Sequence, residues 1–419
     1  MAVRAPELYR ALRCFTLSAF SLLVADVEEG AEVDFAFEEH GAPGRPSLYE
    51  YRPLLRPYVR ARAGRLERLA DTRLAVEQLT REQAARIFSR AQAGENGSGR
   101  EALFPTILLP VVERTAEACG GFDWDDACFD QAYGELEASL FGGERAYAAV
   151  APVTGVAADG AIELGRGVRV RAAASGELSA HWPEAGRLLP PNFGREPDRL
   201  CVLEFERTLA PAAAEPPDSP GEIADAVTAL RLVTAGPVAA GPVLFERLDW
   251  RGFGVRPVLP IAAAEPSGEC VRLDSFRGRL AAELLGRLGE ADDDPELAEA
   301  LERWELSLFQ DEPFRSEQLR EALAALLGGL DGLWAAAVRA AVLLGGSGRE
   351  RAELMNALRP LIAGEASGER AADAVRRALV QTAVRGDRAA HVAALDEMLL
   401  GLRPRAAARV DALLAASAS

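Results

Sequence analysis

The chain has no lysine, because all 47 basic residues among its 419 are arginine. Schiff-base chemistry, a lysine general base and the phosphate-binding loop of P-loop proteins all require a lysine. The sequence therefore excludes these three kinds of site. For the same reason, the glycine cluster Gly345-Gly346-Ser347-Gly348 predicts a turn between helices and not a cradle for a phosphate.

Cysteine and histidine are scarce, with five cysteines and three histidines. The odd number and irregular spacing of the cysteines fit neither paired metal-binding motifs nor a disulfide framework, which favours free thiols in a reducing compartment. The histidines are too scattered to suggest a zinc site. We therefore expect no metal and no cofactor. The residues concerned are Cys14, Cys119, Cys128, Cys201, Cys270, His40, His181 and His391.

Positively charged residues are fewer than negatively charged ones, 47 against 64, and the net charge is −17. Such a balance disfavours non-specific binding to the nucleic-acid backbone. Nearly half of the residues are hydrophobic and about a quarter are charged, which is typical of soluble proteins. The bias towards alanine, arginine, glycine and leucine is typical of a GC-rich bacterial genome and carries no functional information.

Charge-free hydrophobic runs of membrane-spanning length are missing as well, although the segment from Leu8 to Ala25 is mostly apolar. The uncharged stretch Cys14–Ala25 is too short to span a bilayer. It fits either the core of a signal peptide or a buried first helix, and we favour the buried helix because no disulfide pattern follows. The expectation is a cytoplasmic protein without membrane contact.

Apolar periodicity divides the chain into three regions. Residues 1–141 are predicted to be a helical N-terminal region, residues 142–272 a small mixed α/β module, and residues 273–419 an antiparallel helical bundle. Strands are predicted over Tyr147–Val156 and Ala161–Ala172, where β-branched residues alternate with small or polar ones. The expected fold class is α+β, predominantly α.

The most regular part of the chain is the predicted bundle, for which we expect five amphipathic helices. Asp294 followed by Pro295 is typical of a helix start. Pro360 should kink or end the fourth helix. The apolar faces predict core packing for the residues Leu297, Leu301, Trp304, Leu308, Leu319, Leu323, Leu326, Leu330, Trp334, Val338, Ala341 and Val342.

Three segments of the bundle resemble the ApeA-like branch of the HEPN superfamily. They are Arg303–Phe309, Leu319–Gly329 (LREALAALLGG) and Arg339–Gly345 (RAAVLLG), and a final helix followed by Gly-Asp comes after them. The segment 160–178 is also similar to the middle portion of such proteins. The resemblance implies a HEPN-like bundle, a homo-oligomer or a protein partner, and a role in a bacterial stress or anti-phage system.

Active members of this family are metal-independent ribonucleases that carry an arginine and, a few residues later, a histidine. Attack of the RNA 2′-hydroxyl on the adjacent phosphate requires a group that moves a proton and a cation that stabilises the developing charge. In the best register, Arg385 stands where the histidine belongs and Val380 where the arginine belongs, so the pair is missing. A second register offers Arg385 and His391, with Gly386-Asp387 required to turn the chain.

Three functions remain open at this stage. The first is a catalytically degenerate, HEPN-like interaction or scaffold protein. The second is a metal-independent endoribonuclease that acts on RNA through Arg385 and His391. The third is a protein that senses a nucleotide or small ligand through Arg166, Arg169 and Arg171 on the central strands, although an exposed strand face explains these arginines more simply.

Overall fold

The computed structural model describes residues 4–40, 48–93, 100–141, 145–173, 177–178, 182, 185–190, 201–209, 217–249, 251–291 and 293–404. Helices hold most of these residues, and the middle of the chain forms a seven-stranded antiparallel sheet. The expected α+β class with predominantly helical content is confirmed.

The N-terminal region is a helical unit with one hairpin. Its strands β1 (Phe35–His40) and β2 (Leu48–Pro53) pair in antiparallel fashion. A 3-10 turn (Arg100–Ala102) and a π-helical turn (Phe104–Leu108) lead into the sixth helix. The helices are α1 (Pro6–Glu28), α2 (Leu55–Ala61), α3 (Ala63–Leu66), α4 (Ala70–Arg81), α5 (Gln83–Ala93), α6 (Leu109–Cys119) and α7 (Asp126–Phe141).

Helix α1 is long and apolar enough to cross a membrane by length and composition, a test that signal sequences and buried core helices also pass. Here its apolar side packs against α4 and α6. Leu12, Phe15 and Leu23 on that side are fully buried. The apolar side of α1 is therefore part of the core of the N-terminal region.

The central sheet is built around one long strand, β3 (Arg145–Thr154), which pairs with β7 over nine residues. The strand order is β10-β9-β3-β7-β6-β5, with β8 also beside β3, while β4 and β11 form a separate parallel pair. The remaining strands are β4 (Val156–Ala158), β5 (Ile162–Gly165), β6 (Val168–Ala172), β7 (Cys201–Leu209), β8 (Ala239–Ala240), β9 (Val243–Leu248), β10 (Arg251–Pro257) and β11 (Val271–Leu273).

Two helices, α9 (Ser219–Thr234) and α11 (Ser275–Ala291), cover one face of the sheet, and the helices of the bundle follow α11 in the chain. Helices α9 and α11 pack on that face, and α12 to α17 stack beyond them. The helices are α8 (Ala185–Leu188), α9 (Ser219–Thr234), α10 (Pro260–Ala263), α11 (Ser275–Ala291), α12 (Pro295–Ser307), α13 (Phe314–Leu327), α14 (Gly332–Leu344), α15 (Gly348–Ala363), α16 (Glu369–Arg385) and α17 (Arg388–Leu399).

Buried side chains form two large clusters. One runs from Leu8 to Leu140 and belongs to the N-terminal region. The other runs from Tyr147 to Leu395 and contains residues of the sheet, of α9 and α11, and of the bundle. The division predicted between residues 272 and 273 falls inside this second cluster, so the regions 142–272 and 273–419 do not have separate cores.

Buried arginines connect the helices by donating hydrogen bonds to backbone carbonyls. The Nη1 of Arg339 donates to the carbonyls of Leu327 and Gly328 at the end of α13, at 2.8 and 3.1 Å. Its Nε and Nη2 donate to the carboxylate of Asp396 on α17, at 2.7 and 2.8 Å. The last carbonyls of a helix have no partner within the helix, and a guanidinium has five N–H groups to offer them.

Two predictions for the bundle are wrong: the core positions of two residues and the number of helices. Leu330 and Trp334 are not core residues, since they are 107% and 60% exposed. A 3-10 turn over Gly329–Asp331 separates α13 from α14 and removes Leu330 from the face of α13. Of the two outcomes predicted for Pro360, a kink or the end of the helix, the second does not occur, because α15 continues to Ala363 with Leu361 buried. A sixth helix, α17, also follows the five that were predicted.

Candidate functional site

The structure brings Arg385 and His391 together at a break between two helices. Helix α16 ends at Arg385, and Gly386 adopts φ 85° and ψ −93°. The carboxylate of Asp387 then caps α17 by accepting a hydrogen bond from the Ala390 N–H at 2.9 Å. The chain reverses at Gly386-Asp387 as the second register requires, and the first turn of α17 places His391 against Arg385.

The contact between the two side chains is made by one guanidinium nitrogen. The Nη1 of Arg385 lies 3.1 Å from Nδ1 and also 3.1 Å from Nε2 of His391. The two ring nitrogens direct their hydrogen-bonding positions away from each other in the ring plane, so one atom at equal distance is aligned with neither. The Nη1 of Arg385 therefore lies over the imidazole face.

Burial determines the charge state of His391. His391 is 5% exposed, whereas Arg385 is exposed. Burial, and secondly the charge of Arg385, lower the pKa of His391 to about 4. The imidazole is consequently neutral at pH 7, is a weak base, and lies beneath the arginine.

A cleft of about 630 Å³ lies beside Arg385, between the ends of α11 and α16 and the starts of α12 and α17. Arg388 lines it and is held by Asp294, with both carboxylate oxygens 3.1 Å from its Nε, and by Glu296 at 3.0 Å. Asp294 and Asp387 cap the two helices that begin here. The cleft is thus lined by carboxylates as well as by arginines, and it is not a basic groove for a phosphate backbone.

The three arginines of the predicted ligand patch do not lie together. Arg166 stands in the hairpin turn between β5 and β6 with φ 54° and reaches the helix-covered side of the sheet. There its Nη1 donates to Asp225 at 2.9 Å and to the Leu285 carbonyl at 3.1 Å. Arg169 and Arg171 alternate with the buried Val168 and Val170, so they lie on the opposite face.

On that opposite face, Arg169 and Arg171 are held by carboxylates. Both donate to Oε2 of Glu204, at distances between 2.8 and 3.0 Å, and Arg171 also binds Glu177. Burial works to raise the pKa of Glu204, but the hydrogen bonds from the two arginines outweigh it and lower that pKa. The positive charges are thus balanced within the sheet, and ligand binding by these residues stays a prediction.

Among the residues that the structure describes, no group of three or more histidine, cysteine, aspartate or glutamate side chains is arranged to hold a metal ion. A second cavity, of about 650 Å³, lies between α9, α12 and α16 and was not predicted. Its floor is Arg231, which is 1% exposed. The sequence signal for it was one arginine inside the apolar run Ala226–Val233, a pattern that indicates a buried and paired charge.

Comparison with known proteins gives no match: no family model, no curated protein and no solved structure is similar to this chain. The geometry of the chain's own residues is therefore the basis for any statement about its function.

Proposed function

We propose that this protein is a non-catalytic interaction protein built on a HEPN-like helical bundle. The observation that carries the proposal is the burial of His391 beneath Arg385, with the pKa of the imidazole lowered to about 4. A general base must be within reach of the proton that it removes and must have a pKa near the working pH. The resemblance to ApeA-like proteins supports a cytoplasmic place in a bacterial stress or anti-phage system.

Exposed apolar side chains on the bundle support an interaction role. Leu330 and Trp334 lie four residues apart around the start of α14 and are 107% and 60% exposed. Large apolar side chains that share one exposed surface are typical of protein contact sites. We therefore assign the start of α14 as the contact surface, with a second copy of the chain as its partner.

Sedimentation equilibrium of the purified protein tests this assignment. We expect self-association in the wild type, and its loss in the double variant Leu330→Ser/Trp334→Ser, because that variant removes the apolar area that association buries. Leu74→Ser is the matched control, since Leu74 is 58% exposed but lies on α4 of the N-terminal region. A wild type that stays monomeric at every concentration, or a double variant that associates normally, would contradict the assignment.

One observation favours the alternative of a metal-independent ribonuclease. Arg385 and His391 are in contact, at 3.1 Å, beside a cleft that is open to solvent. In that reaction, His391 would accept the proton of the 2′-hydroxyl as its oxygen attacks the adjacent phosphorus, and Arg385 would stabilise the charge on the phosphate oxygens. His391 would first have to leave its buried position. RNA cleavage without added metal, lost in His391→Ala, is the result that this alternative requires.

A further inference from the structure

Two cysteines meet where helix α6 is connected to helix α7. Cys119 is the last residue of α6, and Cys128 lies in the first turn of α7. The thiols of these two residues are hydrogen-bonded to each other. Both are free cysteines and both are half-buried, so a small molecule in solution can reach the pair.

The two helices form an antiparallel hairpin that keeps the cysteines opposite each other. The guanidinium of Arg114 on α6 donates two hydrogen bonds to the carboxylate of Glu135 on α7, at 2.8 and 3.1 Å. From this pair to the cysteines, α6 advances along the chain while α7 goes back. Gly120, with φ 69°, ends α6 in the left-handed conformation that often closes a helix. The end of α6 therefore lies opposite the start of α7.

The connection between the cysteines is anchored to the core of the N-terminal region. Phe122 and Trp124 pack edge-to-face on Phe20 of α1, with ring centroids 5.9 and 5.5 Å away. The backbone N–H of Asp125 donates a hydrogen bond to the sulfur of Cys119. The contact between the two thiols is thus part of the folded structure of the hairpin.

The environment of Cys119 keeps this residue protonated. Burial, and secondly the hydrogen bond with Cys128, raise the pKa of Cys119 to about 11. The thiolate is the form of cysteine that attacks other sulfur atoms, and at pH 7 Cys119 is almost entirely a thiol. Cys119 therefore stays reduced until Cys128 has reacted.

We propose that Cys119 and Cys128 form a reversible disulfide in response to small disulfides in solution. Disulfides in proteins of a reducing compartment are usually transient and redox-sensing. A disulfide requires two side chains that point at each other with sulfur atoms ~2 Å apart, and a hydrogen-bonded pair of thiols already has the first of these features. The pair belongs to the region with its own core, so this function does not depend on the interaction role of the bundle.

The reaction consists of two thiol–disulfide exchange steps, with glutathione disulfide as the oxidant. The sulfur of Cys128 loses its proton to solvent and attacks one glutathione sulfur, and the other glutathione leaves as a thiolate that is protonated by solvent. Cys119 then loses its proton to solvent, its sulfur attacks that of Cys128, and the second glutathione leaves in the same way. Two protein thiols are oxidised to one disulfide, and one glutathione disulfide is reduced to two glutathione molecules.

The disulfide closes a ring over residues 119–128 and ties the end of α6 to the start of α7. A cross-link of this kind stabilises the fold mainly because it restricts the unfolded chain. Its effect is confined to the N-terminal region, whose buried residues form a cluster of their own. We expect amide exchange in α6 and α7 to slow at least about tenfold on oxidation, and exchange in α16 of the bundle to stay the same.

Mass spectrometry of the full chain after incubation with glutathione disulfide tests the proposal. Because the chain has no lysine, trypsin leaves both cysteines in one peptide, residues 115–145. In the wild type, we expect this peptide to be two hydrogens lighter and to resist alkylation by iodoacetamide, and dithiothreitol to restore both thiols. Cys119→Ser should instead retain glutathione on Cys128, because no second thiol is present to release it. Cys14→Ser is the matched control and should form the disulfide normally, since Cys14 is an exposed thiol of the same region.

Hydrogen exchange of the reduced and oxidised wild type measures the effect of the disulfide on the hairpin. Glutathione disulfide should not change exchange in the control variant Cys119→Ser/Cys128→Ser. Two alkylated thiols in the wild type after oxidation, or glutathione retained on both cysteines, would overturn the proposed disulfide. Equal exchange in α6 and α7 before and after oxidation would overturn its effect on the hairpin.

Discussion

At the scale of single residues, arginine replaces lysine throughout this chain. Its guanidinium has five N–H donors, so one side chain can bind several carbonyl groups. Arg339 uses Nη1 on two carbonyls of α13 and places Nε and Nη2 on Asp396 of α17. Lysine has three donors on a single nitrogen and cannot span these positions. Replacement of a buried arginine by lysine is therefore not conservative here.

We expect Arg339→Lys to lower the free energy of unfolding by about 2 kcal/mol or more, because buried carbonyls and a carboxylate lose their donors. Urea denaturation followed by circular dichroism measures this change. Arg349→Lys is the control, because the side chain of Arg349 is 89% exposed and, among the residues that the structure describes, pairs with Glu353 alone, on its own helix. Equal midpoints for the two variants would show that the Arg339 contacts do not stabilise the fold.

His391 is the second residue whose environment makes a measurable prediction. Its pKa is about 4 in the folded protein, because of burial and then the charge of Arg385, and about 6.5 in an unfolded chain. Between these values the unfolded state binds more protons, so stability is full above about pH 6.5 and is lost as the pH falls towards 4. The loss amounts to roughly 3 kcal/mol.

An NMR titration of the histidine ring signals checks this directly, with His391→Gln used to assign the signal. We expect a midpoint about two pH units below that of an exposed histidine. The same variant should lose less stability than the wild type between pH 7 and pH 5 in urea denaturation. A midpoint near 6.5 would mean that the imidazole is open to solvent, which contradicts the structural role.

At the scale of elements, the parts that the sequence predicted best are the periodic helices with local start signals. The Asp294-Pro295 start is present, with Asp294 accepting a hydrogen bond from the Leu297 N–H at 3.1 Å. The strand predicted over Ala161–Ala172 is a hairpin, because Gly165, Arg166 and Gly167 all take positive φ. The sequence failed at Leu330 because a 3-10 turn, and not a continuing helix, follows α13.

The candidate site also has features that the sequence predicted and features that it did not. The contact between Arg385 and His391 followed from spacing and from the Gly-Asp turn, which are local features. The burial of His391 did not, because it depends on how α17 packs against α14 and α16. The cavity above Arg231 needs four segments that are far apart in sequence, so only the lone arginine in an apolar helix gave any signal of it.

The turn at Gly386, between α16 and α17, gives a testable prediction at the scale of elements. With φ 85° and ψ −93°, Gly386 has a conformation that side chains with a Cβ rarely adopt, although an added Cβ would come no closer than 3.6 Å to Arg287. Gly386→Ala should cost about 1–3 kcal/mol through backbone strain alone. Gly348→Ala is the control and should be neutral or stabilising, because Gly348 lies in a helix with open space around it. Urea denaturation distinguishes the two.

At the scale of the whole molecule, the sheet and the bundle depend on each other. Their buried residues form one cluster, whereas the N-terminal region has its own. A destabilising substitution in the bundle should therefore also destabilise strands of the sheet that are far from it in sequence. A destabilising substitution in the N-terminal region should not affect those strands. The cooperative units of such a molecule follow its cores and not the apparent boundaries in its sequence.

Hydrogen exchange measures these units. Leu379→Ala, in the fully buried part of α16, should cost about 2–5 kcal/mol and speed amide exchange in β7 as well as in the bundle. Leu12→Ala, in α1, is equally buried and should speed exchange only in the N-terminal helices. Unchanged protection of β7 in Leu379→Ala would mean that sheet and bundle open independently.

The most direct test of the central claim, a bundle without a catalytic pair, is RNA cleavage in the absence of added metal. The wild type, His391→Ala and Arg385→Ala would be incubated with a single-stranded RNA and the products separated on a denaturing gel. We predict intact RNA in all three samples, because His391 is buried, neutral and covered by Arg385. Cleavage by the wild type that disappears in both variants would contradict the claim and make this protein a ribonuclease.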